Sequence, residues 1–421
     1  MCVKSIENIL SCIGQLIEEN NVYLSYYCER QIIMTISFFS NFMNHHQLPL
    51  CLALSANCDV EFKFIATTPV PAERIDMGYY DMNSKWNFVI RAYENYETYQ
   101  EAFRIVKESD VVIFGNAPEE YFDERIKKNK LTFRYSERLF KKGYLRLFSP
   151  KWFGKKCKKH IQVRKENVYM LCASAYTAAD MSIIHAYKNR MLKWGYFPEV
   201  KQYNDIQTII DGKENASILW VSRLISLKHP EAAIFVAKKL KMAGRKFHMN
   251  IIGSGELKNS LAETIKREGL DEYVSMLGSM SPDNVRKYME KSQIFMFTSD
   301  RNEGWGAVMN ESMNSGCAVV ASNAIGSVPF LVNDGENGMI YRDGNMRQLY
   351  QKVEWLLLHD YEREKIGAMA YRTLVEKWNA NQAAERFFKV SKALLNEQSA
   401  IGMYKSDVCS AAPIYSMRHY K

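Results

Sequence analysis

The sequence predicts an α/β protein built from two doubly wound parallel sheets, and three observations support this prediction. Short runs of apolar, β-branched and aromatic residues alternate with longer stretches of helical periodicity, which is typical of βαβ units. The chain has 421 residues, enough for two domains with separate cores. Residues 201–213 are polar, lack strong periodicity and separate two series of these units. We therefore expect a ligand cleft between the carboxyl ends of the strands of the two domains.

The amino-terminal domain is expected at residues 34–200. The preceding residues 1–33 have the pattern of an amphipathic helix followed by a linker, and we interpret them as an extension of a domain that starts at Met34. The apolar positions of this helix are Ile6, Ile9, Leu10, Ile13, Leu16 and Ile17. Strands of the domain are predicted at residues 35–40, 61–67, 110–115, 131–136 and 168–174.

The carboxy-terminal domain is expected at residues 214–380, followed by a helix and tail at 381–421. Ser281 before Pro282 predicts a capped helix start with proline in the first turn. Strands are predicted at residues 217–222, 249–253, 273–277, 294–299 and 318–322. Helices are predicted at residues 230–243, 256–268, 282–291 and 307–314.

Charge and cysteine usage limit the class of protein. A formal net charge of +9 favours an anionic partner, such as nucleic acid, lipid headgroups or a phosphorylated substrate. The nine cysteines include no Cys-x-x-Cys pair and no zinc-ligand spacing, which predicts free thiols in a reducing compartment. The sequence contains neither a run of about eighteen apolar residues nor the pattern of a signal peptide.

A strand, a glycine turn and a helix follow one another at residues 294–314. Gly304 and Gly306 form the turn, and backbone N–H groups at the helix start can hold a diphosphate. Glu303 and the later Glu311 can accept hydrogen bonds from sugar and ribose hydroxyls. Without wider context, the same pattern is typical of an ordinary connection with two solvated glutamates.

The wider context resembles glycosyltransferase family 4, a retaining family with the GT-B fold of two Rossmann-like domains and an interdomain cleft. Residues 300–332 resemble its E-x7-E signature, and three further segments match in order. These are SRLISLKHP (222–230), IIGSGE (251–256) and MLGSMSPDNV (276–285). The resemblance is strong over residues 215–375 and weak over 34–200.

The resemblance implies roles for individual residues. Arg223 and Lys228 would bind the donor diphosphate, and Glu303 would contact the transferred sugar. Ser222 and His229 stand where the family usually has glycines, and Trp305 replaces a commoner phenylalanine. The donor-binding set comprises Gly253, Gly255, Leu277, Gly304, Trp305, Gly306, Ala307, Val308 and Glu311. Because two cations serve the diphosphate and no Asp-x-Asp pair is present, we expect neither a metal nor a cofactor.

The acceptor side is expected on the amino-terminal domain. Glu137 is the candidate for contact with the sugar or the acceptor, with Ser136 as the alternative; an ion pair of Glu137 with a neighbouring arginine is nearly as plausible. Asn41, Asn44, His45 and His46 follow the first strand and could line the same side. Adjacent histidines on a helix would point in different directions, so a shared metal is not expected.

A basic segment follows Glu137. Between Arg138 and Lys165 there are eleven Lys or Arg residues and no acidic residue. Interleaved aromatic residues favour an element that lies on anionic lipid, ahead of a solvated face or a nucleic-acid patch. The expected patch contains Lys141, Lys142, Arg146, Lys151, Trp152, Phe153, Lys155, Lys156, Lys158 and Lys159. This interpretation implies a cytoplasmic protein at the inner membrane face.

The activity that best fits these patterns is transfer of a hexosyl-type sugar from a UDP- or GDP-sugar to a glycan or lipid-linked acceptor, in surface polysaccharide synthesis. A nucleotide-sugar epimerase on the same fold and a catalytically silent scaffold are the alternatives. A dinucleotide oxidoreductase is disfavoured, because no G-x-G-x-x-G follows the first strand.

Overall fold

The computed structural model describes residues 33–76, 78 and 80–415, so the predicted amino-terminal helix lies outside the described residues. The described chain contains two parallel sheets. The first sheet is formed by β1 Met34–Ser40, β2 Val60–Ala66, β3 Val89–Arg91, β4 Val111–Phe114, β5 Thr132–Ser136, β6 Val168–Cys172 and β7 Met191–Lys193. The second sheet is formed by β8 Ser217–Val221, β9 His248–Ile252, β10 Val274–Gly278, β11 Ile294–Phe297, β12 Ala318–Ser322 and β13 Met339–Tyr341.

Both sheets are doubly wound, as the sequence predicts. Their strand orders are β3-β2-β1-β4-β5-β6-β7 and β10-β9-β8-β11-β12-β13. The order reverses between β1 and β4 in the first sheet, and between β8 and β11 in the second. Phe38 and Phe39 of β1 are both fully buried, because helices cover both faces of the sheet. In such sheets, ligands bind outside the carboxyl ends of the strands at the reversal point.

The helices fill the connections between strands. Ser281 caps the helix that follows β10, since its side chain accepts a hydrogen bond from the Asn284 amide at 3.4 Å. The α-helices are Leu48–Ser55, Ala72–Asp76, Tyr96–Glu108, Glu119–Ile126, Pro150–Lys156, Lys158–Ile161, Thr177–Ile183, Ile206–Asp211, Pro230–Met242, Lys258–Arg267, Pro282–Lys291, Val308–Asn314, Val328–Leu331, Met346–Leu358, Asp360–Arg372 and Ala380–Leu395. Short 3₁₀ helices span Tyr144–Phe148 and Ser226–Lys228, and a single turn of π-helix spans Thr373–Lys377.

Three strands were not predicted from the sequence. β3, β7 and β13 have three residues each, too few to show a strand periodicity. The polar segment 201–213 contains the helix Ile206–Asp211, which begins where the Asp205 side chain accepts a hydrogen bond from the Gln207 amide at 2.9 Å.

The carboxy-terminal helix Ala380–Leu395 returns to the amino-terminal sheet. It packs on the helix Leu48–Ser55, and the ring of its Phe387 lies 4.8 Å from that of Phe133 in β5. The following tail continues along β7, where the Lys193 amide donates to the Ser410 carbonyl at 2.8 Å. The carboxy-terminal helix and residues 409–412 are therefore attached to the first sheet.

The six cysteines in the described ranges are all free thiols, and all but Cys58 are buried. Within the same ranges, no helix combines the length and the apolar character needed to cross a bilayer.

Candidate active site

Two loops stack closely at the carboxyl ends of β8 and β9. The Leu224 amide donates to the Ser254 carbonyl at 2.8 Å, and the Ser222 amide donates to the Ile252 carbonyl at 3.1 Å. A Cβ atom on Gly253 would lie 1.8 Å from the Ser222 carbonyl oxygen, so this approach requires glycine. The Arg223 side chain is exposed. The stacked loops therefore fix the backbone from which Arg223 projects.

Lys228 and Glu303 form an ion pair whose side chains are only 11% and 14% exposed. Ser299 Oγ donates a further hydrogen bond to Glu303 Oε2 at 3.1 Å. The loop that carries Lys228 is anchored by Thr298, whose Oγ1 donates to the Lys228 carbonyl at 2.7 Å. The structure thus brings two predicted site residues, 75 positions apart in sequence, into direct contact at the carboxyl ends of β8 and β11.

His229 has a backbone conformation that glycine adopts readily, and glycine is usual at this position in the family that the sequence resembles. Its backbone is left-handed, with φ 50° and ψ 54°, immediately before Pro230. Glycine adopts this conformation without a steric penalty. His229 Nδ1 and Glu231 Oε1 form a hydrogen bond of 2.6 Å. This hydrogen bond raises the pKa of His229, although partial burial acts in the opposite direction. His229 therefore anchors the loop through this hydrogen bond.

The carboxylate of Glu137, in the amino-terminal domain, lies against the glycine turn of the other domain. A Cβ on Gly304 would lie 2.0 Å from the carboxyl carbon of Glu137, so only glycine admits the carboxylate. Tyr196 OH donates to Glu137 Oε1 at 2.6 Å, and Lys141 forms an ion pair with Glu137 Oε2. The partner of Glu137 is therefore a lysine, not the neighbouring arginine that the sequence suggested.

The Trp305 side chain does not line the cleft. It is fully buried, and its ring centroid lies 5.4 Å from that of Trp378 and 6.0 Å from that of Tyr196. Its Nε1 donates to Asn310 Oδ1 at 2.9 Å. A Cβ on Gly195 would lie 2.2 Å from this ring. The expectation of donor contact through this side chain is corrected: Trp305 packs the two domains together.

The rest of the expected donor set follows the same turn and strand ends. Gly306 has φ +80°, and a Cβ there would meet the Phe297 ring at 2.2 Å. Ala307 is 7% exposed and immediately precedes the helix Val308–Asn314. Leu277 is partly buried near the end of β10. Gly255 approaches the first loop, since a Cβ there would lie 2.4 Å from the Leu224 carbonyl oxygen.

His45 and His46 meet Glu311 across the two domains. One ligand atom of each residue lies within 4.8 Å of the other two. The histidines occupy a turn before the helix Leu48–Ser55, with ring centroids 3.6 Å apart, so the expectation that they diverge on a helix is wrong. Burial and the charge of Arg74 lower the pKa of His45 to about 4. Burial also raises the pKa of Glu311.

A cavity of about 460 Å³ opens at the carboxyl ends of the first sheet. Its lining includes four residues that the sequence predicted on the acceptor side: Asn41, His46, Ser136 and Glu137. The sequence interpretation missed several other lining residues because they come from separate strand ends and from the helix Lys158–Ile161; these include Asn116, Arg134, Arg138, Lys159, His160 and Tyr196.

Ion pairs with acidic side chains hold three cations of this cavity. Arg134 donates two hydrogen bonds to Glu119, at 3.2 and 2.7 Å, and Lys159 donates a third at 2.6 Å. Arg138 lies 3.4 Å from Asp180, whose pKa is nevertheless raised by burial. The cavity is therefore polar, with cations fixed by acidic partners.

The basic segment is divided between the cavity and the surface. Lys141 and Lys159 face the cavity and form ion pairs there, which corrects their assignment to the surface patch. Leu145 and Phe148 are each 84% exposed, and Phe153 is 36% exposed. Lys142 and Lys151 are also exposed. The side chains of Arg146, Trp152, Lys155, Lys156 and Lys158 lie outside the described structure.

The chain is similar to known glycosyltransferases over part of its length. The chain is 33% identical to N-acetylgalactosamine-N,N'-diacetylbacillosaminyl-diphospho-undecaprenol 4-alpha-N-acetylgalactosaminyltransferase of Campylobacter jejuni over 147 aligned residues. The aligned region covers 35% of this chain and 39% of that protein. Over 170 residues the chain is 24% identical to poly(ribitol-phosphate) alpha-N-acetylglucosaminyltransferase of Staphylococcus aureus, 40% of this chain and 34% of that protein. The chain thus matches less than half the length of either relative.

The fold is shared along nearly the whole chain. The Anabaena protein HepE, solved in complex with UDP, superposes with a TM-score of 0.62 at 14% identity, over 86% of this chain and 100% of that one. Residues 204–373 match the family described as glycosyl transferases group 1. The chain is therefore a protein of the GT-B fold whose second domain carries the match to the group 1 glycosyl transferases.

Proposed function

We propose that this protein is a retaining glycosyltransferase that moves a hexosyl-type sugar from a UDP- or GDP-sugar to a glycan or lipid-linked acceptor in surface polysaccharide synthesis. One observation carries the proposal. The Lys228–Glu303 pair of the second domain and Glu137 of the first meet at the same glycine turn, at the carboxyl ends of both sheets. The polymer-linked and lipid-linked substrates in the names of the two relatives support the acceptor class.

The charges suit cleavage of a glycosyl–phosphate bond. Negative charge develops on the departing diphosphate, and preorganised cations stabilise it most where water is largely excluded. Lys228 is mostly buried, and Arg223 projects from the start of the same loop. When the diphosphate binds, Lys228 can turn from Glu303 towards it, which frees the Glu303 carboxylate to accept hydrogen bonds from the sugar. This arrangement assigns no step to a metal ion.

Incubation with UDP- and GDP-linked hexoses tests the proposal. We expect one donor to release nucleoside diphosphate only when a glycan or lipid-linked acceptor is present, and NMR of the product to show the anomeric configuration of the donor. Isomerisation of the donor without acceptor would instead identify an epimerase. Failure to turn over any donor with a panel of acceptors would support a silent scaffold.

We also propose that the exposed part of residues 142–153 lies on an anionic membrane. Leu145 and Phe148 project into solvent beside the exposed Lys142 and Lys151, which is the combination that an interfacial element needs. We expect the protein to float with liposomes that contain anionic lipid. The double variant Leu145→Ser and Phe148→Ser should lose most of this binding, whereas Met242→Ser, at a 69% exposed residue on another surface, should not. Equal flotation of both variants would contradict the proposal.

A further inference from the structure

Three side chains from both domains converge with the chemistry of a metal site. Two imidazole nitrogens and one carboxylate oxygen are a ligand set that zinc commonly takes, with a fourth position left to water. The ligand atoms of His45, His46 and Glu311 lie within 4.8 Å of one another. An ion at the centre of the widest such triangle would lie about 2.8 Å from each atom, so inward shifts of about 0.7 Å would reach zinc bond lengths.

The bonding of His46 and Glu311 leaves one ligand atom of each available. His46 Nδ1 is buried and has no hydrogen-bond partner within the described chain. Over the same residues, no hydrogen bond reaches the Glu311 carboxylate. The nearby Arg286 instead donates to the Glu311 backbone carbonyl and to Asn314 Oδ1, each at 3.0 Å. A buried polar atom without a partner costs free energy, which a bound cation would recover.

The surroundings restrict the His46 ring and its backbone. The His46 ring stacks on Tyr196 with centroids 5.3 Å apart. The His46 amide donates to Asn44 Oδ1 at 3.0 Å, which fixes the turn. Such support keeps first-row metal ligands in place.

We propose that His45, His46 and Glu311 bind a divalent transition-metal ion of the zinc type that links the two domains. The metal is not a catalyst here. It occupies the Glu311 carboxylate, which the sequence pattern predicts to accept hydrogen bonds from the ribose of the donor, so metal and nucleotide compete. This consequence, unlike the metal site itself, rests on the proposed function.

Titration of the metal-free full-length protein with Co²⁺ tests the site. We expect one equivalent to bind with the visible bands of a tetrahedral nitrogen–oxygen site, without the thiolate charge-transfer band of a cysteine site, and Zn²⁺ to displace it. Glu311→Gln and His46→Gln should each weaken binding at least about tenfold. His185→Asn, which removes an exposed imidazole elsewhere, should leave it unchanged.

The proposal is overturned if cobalt does not bind, if its spectrum shows thiolate bands, or if Glu311→Gln binds cobalt as well as the wild type does. Because this substitution is nearly isosteric, it remains informative if His46→Gln fails to fold by circular dichroism. A competition titration with UDP and GDP separates the two proposals. If cobalt binds as expected but neither nucleotide displaces it, the metal site stands and the assignment of Glu311 to the donor fails.

Discussion

Replacing Lys228 by alanine is expected to lower the rate of sugar transfer by about 10²–10³ while the protein stays folded. The substitution removes the mostly buried cation that we propose stabilises the departing diphosphate, and it leaves the Glu303 carboxylate without its ion-pair partner. Glu303→Gln should lower the rate to a similar extent, because an amide cannot replace the charge of the carboxylate. Steady-state release of nucleoside diphosphate, measured with saturating acceptor, gives kcat and KM for both variants.

Lys352→Ala is the matched control for this experiment. Lys352 also pairs with a carboxylate, that of Asp334 at 3.0 Å, but the pair lies on the surface and outside the cleft. Exposed pairs contribute little to stability, at most about 1 kcal/mol. We expect unchanged kinetics for this variant. A Lys228→Ala enzyme as fast as the wild type would remove Lys228 from the mechanism.

Replacing Trp305 by alanine is expected to destabilise the protein by about 3–5 kcal/mol, the usual cost of removing a large buried aromatic side chain. Its ring packs between Tyr196 of the first domain and Trp378, which precedes the carboxy-terminal helix. The substitution also leaves Asn310 Oδ1 without its donor in a buried site. Urea unfolding followed by tryptophan fluorescence and by circular dichroism measures the loss.

Trp355→Ala provides the comparison, because Trp355 is 36% exposed and stacks only on His359 within the described structure. We expect it to cost less than half as much as Trp305→Ala. Equal losses in the two variants would show that the aromatic contacts between the domains do not carry the stability assigned to them.

The sequence predicted the sheet strands well where their pattern is local. The five strands expected in each half all form, because buried parallel strands are continuous apolar runs bounded by polar turns. The loops that carry Arg223, Lys228 and Glu303 were also predicted, since each directly follows such a run. β3, β7 and β13 escaped prediction because three residues carry no periodicity.

Contacts between the domains could not be predicted in this way. The sequence placed Trp305 at the donor and treated His45 and His46 as a diverging pair on the acceptor side. In the structure, Trp305 is enclosed by rings from other elements, and the two histidines lie beside Glu311, more than 260 positions away.

The sequence by itself determined the α/β class, the two sheets and the identity of the charged residues at their strand ends. The tertiary structure decided which of these residues meet: Glu137 with Gly304, and the histidine pair with Glu311. The physical reason is the range of the forces involved. Strand and turn preferences act between near neighbours in the chain, whereas contacts across the cleft depend on how two separately formed cores pack against each other.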